Sequence, residues 1–254
     1  MLKQSILGGL SAALPRRAKR SFVNLSFNLD RDQFQSIATK YLYAPHMRLG
    51  LEFLASRGLK PRSVLDIGAF EGDWAKMAMT VWPSAEVIMI EANADKAQIL
   101  RNDPRLAQAT VIESLLGPDE KTVPFIVMGS GSSVLEENSS VERHTINLKQ
   151  AKLDSFGLAP DFIKIDVQGY ELEVLKGGRE TLSKADAVLI ELSLIEINRN
   201  CPLLDEALAF MRAEGFVAYD VLEIHRRPLD GAMNQIDFVF VREDSPLRAD
   251  KRHF

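Results

Sequence analysis

Cysteine is nearly absent from the sequence, which has one, Cys201, among 254 residues. A single thiol excludes an intrachain disulfide and a zinc site built from cysteines. A lack of disulfides is typical of proteins in reducing compartments. We therefore expect a cytoplasmic protein.

A surplus of basic residues is also absent. The chain has 31 Lys and Arg against 35 Asp and Glu, which gives a formal net charge of -4. The basic residues of the body are dispersed among the acidic ones and form no stripe for a nucleic-acid backbone. We expect no nucleic acid among the partners.

The first twenty residues are an exception, because they contain no acid. They contain five basic side chains, Lys3, Arg16, Arg17, Lys19 and Arg20. Their apolar part is too short to span a bilayer, and the basic cluster lies where a secretory signal would have its cleavage site. Two hypotheses stay open: a short helix in peripheral contact with an anionic membrane, or an arm packed on the body or on a second subunit of a homo-oligomer.

The chain length and the hydrophobic content of 46% fit one α/β domain with an N-terminal extension. After residue 60, apolar strand-like runs alternate with helix-like runs, which predicts βαβ units and a parallel sheet that ends in a hairpin. We divide the chain into a basic arm with helices (1–60), a main domain (61–245) and a polar tail (246–254). The pattern also predicts helices over 30–43, 44–58 and 171–184, a strand over 109–116 and a loop over 129–145.

The stretch "SVLDIGAFEGDWAKMA", residues 63 to 78, joins a predicted strand to a predicted helix through an acidic turn. A dinucleotide-binding turn reads G-x-G-x-x-G and places backbone N–H groups on a pyrophosphate. Here Asp66 stands in the place of the first glycine, and Glu71 and Asp73 follow. These carboxylates would repel a pyrophosphate in a poorly solvated crevice, so the turn favours a neutral or cationic ligand. An NAD-dependent oxidoreductase is the alternative.

Glu91 ends the next predicted strand, 19 residues after Gly72. In dinucleotide-binding proteins, an acid about 20 residues after the glycine-rich turn accepts hydrogen bonds from a ribose diol. A ribose with a cationic attachment and no phosphate describes S-adenosylmethionine, although Asp73 could instead cap a helix and Glu91 could be an ordinary strand end. The predicted cofactor-binding residues are Asp66, Gly68, Ala69, Phe70, Glu71, Gly72, Asp73, Glu91, Ala92, Asn93, Glu113 and Ser114.

Two segments carry a resemblance to a known family. The stretch "FIKIDVQGYELEVLKGG", residues 162–178, resembles the signature of the FkbM-type S-adenosylmethionine-dependent methyltransferases, and "SVLDIGAFEGDW" is similar to the first motif of their superfamily. The tail "NQIDFVFVRE" resembles the last strand. The resemblance runs from about Ser63 to Val241. It implies a Rossmann-like class I methyltransferase, with a seven-stranded, mostly parallel sheet, an antiparallel last strand and helices on both faces.

Asp166 is the leading candidate for contact with the acceptor or its proton, because its strand should end beside the strand that carries Asp66. Lys164 shares a strand face with Asp166 and is the odd residue in an apolar strand. A buried lysine needs a partner, which would be Asp166 or Glu191.

Glu191 ends the following strand and, with Asp166, could bind a divalent metal ion. We do not favour a metal, because no third ligand of comparable quality lies nearby in sequence. His225 lies in a loop expected at the same edge and could serve as a base near neutral pH. The predicted catalytic residues are therefore Asp166, Lys164, Glu191 and His225.

The acceptor is the least determined part. The resemblance implies methylation of a hydroxyl, often on a sugar or natural product. Three loops, 129–145, 193–202 and 223–235, should form its binding wall, and their Ser, Asn and Arg side chains favour a carbohydrate. We expect O-methylation of a sugar or glycan intermediate. The alternatives are a polyketide or other small natural product as acceptor, or a non-catalytic binding protein with this fold.

Overall fold

A computed structural model describes residues 45–129 and 131–253. The basic arm and the predicted helix over 30–43 lie outside the described residues. Among the described residues, no helix is long and apolar enough to cross a membrane.

Strands and helices alternate in the order that the apolar pattern predicts as far as residue 113 and again from 162 to 213, whereas the segment between them contains three consecutive strands. The helices are α1 (Met47–Ser56), α2 (Asp73–Val81), α3 (Ala94–Asn102), α4 (Glu171–Lys176), α5 (Arg179–Lys184) and α6 (Leu204–Ala213). The strands are β1 (Ser63–Ile67), β2 (Glu86–Glu91), β3 (Thr110–Glu113), β4 (Leu115–Leu116), β5 (Thr122–Val127), β6 (His144–Ala151), β7 (Phe162–Ile165), β8 (Ala187–Ser193), β9 (Phe216–Arg226) and β10 (Met233–Arg242).

Seven strands form one sheet in the order β3-β2-β1-β7-β8-β10-β9. The first five are mutually parallel, and β10 lies antiparallel between β8 and β9. The expected seven-stranded sheet with an antiparallel last strand is confirmed. The chain leaves β1 toward β2 on one side and later returns to β7 on the other. The boundary between β1 and β7 is therefore a switch point, where open α/β sheets bind their ligands.

Helices cover both faces of the sheet, as expected. One core cluster joins α4, α5 and α6 to side chains such as Leu65 and Ile163. The other joins α1, α2 and α3 to side chains such as Val64 and Phe162. The central strands are apolar on both sides because both sides are buried. A polar side chain in one of these strands is therefore an exception that requires an explanation.

Three elements differ from the sequence-based expectation. The single helix predicted over 171–184 is two helices, because the chain breaks at Gly177 and Gly178. A Cβ at Gly177 would lie 2.2 Å from the backbone oxygen of Gly117, so this close crossing requires glycine. The strand predicted over 109–116 is divided between β3 and β4. The end of the predicted 129–145 loop belongs to β6, which pairs with β4 and β5 in a small three-stranded sheet beside the main one.

Candidate active site at the carboxyl edge of the sheet

The carboxyl ends of the parallel strands bring four of the predicted acids to one edge. Asp66 lies next to last in β1, Glu91 ends β2, Asp166 follows β7 directly, and Glu191 lies near the end of β8. The register pairs Asp66 with Lys164, so the Asp66 and Lys164 side chains share one face of the sheet. This edge is the candidate active site.

Gly68 makes the turn after β1 possible. Its φ of +76° is in the left-handed region, and an added Cβ would lie 1.8 Å from the backbone oxygen of Asp166. Glycine is thus required because the turn lies in close contact with the backbone at the end of β7.

Glu91 is held rigidly at the end of β2. Its Oε2 accepts a hydrogen bond from the backbone N of Phe70 at 2.8 Å, and its Oε1 accepts one from the backbone N of Asn93 at 2.8 Å. Burial raises the pKa of the Glu91 carboxyl, against the effect of these two N–H groups, which favour the charged form. Asn93 in turn accepts hydrogen bonds from the first turn of α3. The acid therefore has one fixed orientation at the edge of the cleft.

A cleft opens at the switch point, beside the ends of β1, β2 and β7. Half of the predicted cofactor residues line it, namely Gly68, Phe70, Glu91, Ala92, Asn93 and Ser114. Apolar side chains form much of the remaining wall, namely Ile67, Ile90, Leu115, Leu116, Phe125 and Val134. An apolar slot with a fixed acid at its rim fits a nucleoside, whose base is flat and whose ribose presents two hydroxyls.

The other predicted cofactor residues lie outside this lining. Asp66 is fully buried, Ala69 packs in the hydrophobic core, and a Cβ at Gly72 would meet Leu106 and Leu100. The remaining three carboxylates are paired near the surface. Glu71 contacts Lys96, Asp73 contacts Lys76, and Glu113 contacts Arg101.

Lys164 is buried between two carboxylates. Its Nζ lies 3.3 Å from Asp66 Oδ1 and 3.5 Å from Asp166 Oδ2, and it donates a hydrogen bond to the backbone oxygen of Gly68 at 3.3 Å. Burial acts to lower the pKa of the Lys164 ammonium, but the two carboxylates outweigh burial and the pKa is raised. Lys164 thus stays charged and ties the turn after β1 to the end of β7.

The loop after β7 carries backbone strain beside Asp166. Gln168 has a φ of +57°, which is rare for a residue with a side chain. Its Nε2 donates hydrogen bonds to Asp166 Oδ1 at 2.8 Å and to Glu191 Oε2 at 3.0 Å. Buried Glu171 accepts hydrogen bonds from the backbone N of Val167 and of Gly169 and fixes the same loop. Strain of this kind persists where the surroundings hold it, often at functional sites.

The structure adds one residue that the sequence analysis did not select, Asp237 in β10. Its Oδ2 lies 2.7 Å from His225 Nε2, which is itself 3.9 Å from Glu191 Oε1. The hydrogen bond to Asp237 raises the pKa of the His225 imidazole. Burial, followed by the nearby Asp166 and Asp237, raises the pKa of Glu191 well above its usual range. A signal was available in the sequence, because Asp237 is the odd polar residue in the apolar run "IDFVFV".

Two of the expected acceptor loops are joined to each other. Asn138 N donates to Ile197 O, and Arg199 N donates to Glu136 O, each at 2.8 Å. The Ser133 hydroxyl donates to the backbone oxygen of Gln168 at 2.9 Å, so this pair of loops also contacts the β7 loop. The third expected loop, 223–235, is shorter than predicted, because its residues through Arg226 belong to β9 and those from Met233 belong to β10. His225 therefore lies in a strand and not in a loop.

The hairpin arginines are engaged locally. Arg227 pairs with Asp230, and Arg226 donates to the backbone oxygen of Gly231. Arg199 in the second loop likewise pairs with Glu136. These three guanidinium groups are satisfied within the protein.

Comparison of the sequence with known proteins identifies a family match. The family model described as "Methyltransferase FkbM domain" matches residues 66–218. The hexuronic acid methyltransferase AglP of Haloferax volcanii is 28% identical over 132 residues, which cover 50% of this chain and 54% of that protein. The chain thus spans about half the length of this curated relative.

Solved structures with a similar fold include two methyltransferases. Precorrin-6y C5,15-methyltransferase from Geobacter metallireducens is 14% identical, with 77% of this chain and 87% of that chain covered and a TM-score of 0.47. Magnesium protoporphyrin IX methyltransferase from Synechocystis PCC 6803, solved with bound S-adenosylmethionine, is 11% identical, with 77% and 79% covered and a TM-score of 0.49.

Proposed function

We propose that this chain, which belongs to the FkbM methyltransferase domain family, transfers a methyl group from S-adenosylmethionine to a hydroxyl of a sugar or glycan intermediate. The observation that carries the proposal is the position of Asp166. It lies at the carboxyl end of β7, with the Glu91 cleft on one side and Glu191 on the other.

The cofactor side of the proposal rests on Glu91 and the apolar slot. With its orientation fixed by Phe70 and Asn93, the Glu91 carboxylate can accept hydrogen bonds from a ribose diol. The slot walls from β1, β2 and β4 can enclose an adenine between apolar side chains. Neither contact needs a phosphate.

The cofactor would supply an electrophilic methyl group on a good leaving group. The residues of the chain must therefore align the acceptor oxygen, take its proton and exclude water. Asp166 is the proposed proton acceptor. The Lys164 ammonium and the Gln168 amide contact different oxygens of its carboxylate and set its direction.

Two features support a carbohydrate acceptor. The walls around Asp166 are polar, because Ser133, Gln168 and Glu191 contribute to them, although each already makes hydrogen bonds within the protein. The curated relative, which is 28% identical over half of this chain, is named as a hexuronic acid methyltransferase. A uronic acid itself suits this site less well, because the nearby arginines are engaged and the site is rich in carboxylates.

Incubation with methyl-labelled S-adenosylmethionine and a panel of acceptors tests this function. The panel should hold neutral, amino and uronic sugars, free and nucleotide-linked, together with hydroxylated natural products. We expect label on a sugar hydroxyl, with loss of transfer in Asp166→Asn and retained cofactor binding. Transfer to a natural product alone, or turnover in Asp166→Asn equal to the unaltered protein, would contradict the proposal.

A further inference from the structure

Three potential metal ligands meet where β8, β9 and β10 lie side by side. One oxygen of Glu191, one ring nitrogen of His225 and one oxygen of Asp237 all lie within 4.8 Å of one another. The register explains the meeting, because Asp237 pairs with Glu191 on one side and Gln235 pairs with His225 on the other. Paired residues share a face of the sheet, and residues two apart in a strand do so as well.

The Glu191 carboxylate is oriented by two amides. Its Oε2 accepts hydrogen bonds from Gln168 at 3.0 Å and from Gln235 at 2.6 Å. The other oxygen, Oε1, is the one that lies 3.9 Å from His225 Nε2. Partners of this kind, which orient a ligand without contacting the ion, are characteristic of protein metal sites.

The charge at this edge also favours a cation. Asp237 pairs across the strands with both Glu191 and Glu223, and like charges placed directly opposite destabilise a sheet. The cationic groups that act on these three acids are Lys164, His225 and, beside Glu223, His46. Lys164 already forms salt bridges with Asp66 and Asp166.

We propose that Glu191, His225 and Asp237 are the protein ligands of a divalent ion of the first transition series. An ion of this type bonds nitrogen and oxygen at about 2.1 Å, so adjacent ligand atoms lie about 3 Å apart and opposite ones about 4 Å. The observed 2.7 Å and 3.9 Å separations are close to these values. Because metal ligands must be deprotonated, any proton between His225 and Asp237 would leave when the ion binds.

The mixed ligand set determines which ions fit. An imidazole nitrogen with two carboxylates suits Mn²⁺, Fe²⁺, Co²⁺ or Zn²⁺ better than Ca²⁺, which takes oxygen ligands. Three protein ligands leave positions open for water or for an acceptor hydroxyl. The inference that the ion holds an acceptor hydroxyl rests on the proposed function. The inference that the three residues bind the ion does not.

Titration calorimetry of the full chain with Mn²⁺, without cofactor or acceptor, tests the inference. We expect one ion per chain, and at least about tenfold weaker binding in Glu191→Gln and in Asp237→Asn. Glu223→Gln is the matched control, because it removes the same charge beside Asp237 without removing one of the three ligands. It should weaken binding much less. Far-ultraviolet circular dichroism identifies any variant that fails to fold. If Asp237→Asn does not fold, the affinity of Glu191→Gln for Mn²⁺ decides the test, because the Glu191 carboxylate is partly exposed.

A Co²⁺ spectrum gives an independent readout. The visible absorption of bound Co²⁺ should change in His225→Gln, because an imidazole ligand is lost. If the unaltered protein shows no saturable binding of Mn²⁺, the proposal is overturned. Equal weakening by Glu223→Gln and the ligand variants would also overturn it, since the attraction would then be general electrostatics. Methyl transfer is not needed for either measurement, so failure of the proposed function is a separate result.

Discussion

The ammonium of Lys164 lies 3.3 Å from the carboxylate of Asp66 in the interior of the sheet, where both side chains are buried. This pair stands directly beneath the turn after β1 and beside Asp166. It is therefore both a structural bond between two central strands and a support for the candidate site.

Removing one partner of this pair should be costly. Lys164→Met fills similar volume but leaves Asp66 buried without a countercharge, and such a loss costs about 3 to 5 kcal/mol. We expect the free energy of unfolding, measured in urea, to fall by this amount. The surface variant Lys184→Met, which removes a partly exposed pair with Glu180, should cost less than about 1 kcal/mol.

The double variant Lys164→Met with Asp66→Asn separates charge from packing. If the buried charge is the cause, the second substitution should recover part of the lost stability. Equal stability of the single and double variants would contradict the role that we give to this pair.

Cofactor affinity should depend on Glu91 and not on Glu113. Glu91→Ala should weaken binding of S-adenosylhomocysteine at least about tenfold, because a charge-assisted hydrogen bond to a ribose is lost. Glu113→Ala removes an acid of the next strand, which pairs with Arg101 outside the cleft, and should leave affinity unchanged. Calorimetry gives both values. Equal losses of affinity in the two variants would show that Glu91 does not bind the ribose.

Stability should depend on pH through Glu171. Burial raises its pKa to about 7 from the ordinary 4.5, so the folded state holds a proton that the unfolded state has released. The resulting stability is fully present below about pH 4.5 and is lost as pH rises toward 7, by about 3 kcal/mol at most. Glu171→Gln keeps an oxygen acceptor for Val167 and Gly169. The difference in unfolding free energy between variant and unaltered protein should therefore grow in favour of the variant from pH 5 to pH 8, and a pH-independent difference would contradict this.

Gly68 should not accept even a methyl group. Gly68→Ala must adopt a positive φ and also displaces the backbone of Asp166, so we expect a loss above about 2 kcal/mol in the free energy of unfolding. Gly157→Ala is the control, because Gly157 also has a positive φ but has no atom within 4 Å of an added Cβ. Equal losses at Gly68 and Gly157 would mean that the contact with β7 is unimportant.

Much of the fold could be predicted from the sequence because its strands are short, apolar and separated by recognisable turns. The same regularity predicted that Asp66, Glu91, Asp166 and Glu191 would meet, since parallel strands end at one edge. The six consecutive turn residues of the prediction, 68–73, could not all face the cleft. The sequence gives no register for a turn, so Glu71 and Asp73 were included although neither lines the cleft; Asp73 pairs with Lys76, and Glu71 pairs with Lys96, whose own side chain does line it.

Asp237 was missed for a different reason. It lies near the beginning of an antiparallel strand, so it reaches the carboxyl edge from the opposite direction. An argument from strand ends cannot find such a residue. Its contact with His225 depends on the register of the β9–β10 hairpin, which contains bulges that sequence periodicity does not reveal. A search for a third ligand near Glu191 along the sequence could therefore not include Asp237.

The most direct test of the account is calorimetric titration of the full chain with S-adenosylhomocysteine and, separately, with NAD. The fixed Glu91 and the apolar slot predict saturable one-to-one binding of S-adenosylhomocysteine and no heat with NAD. Saturable binding of NAD together with no binding of S-adenosylhomocysteine would contradict the central claim.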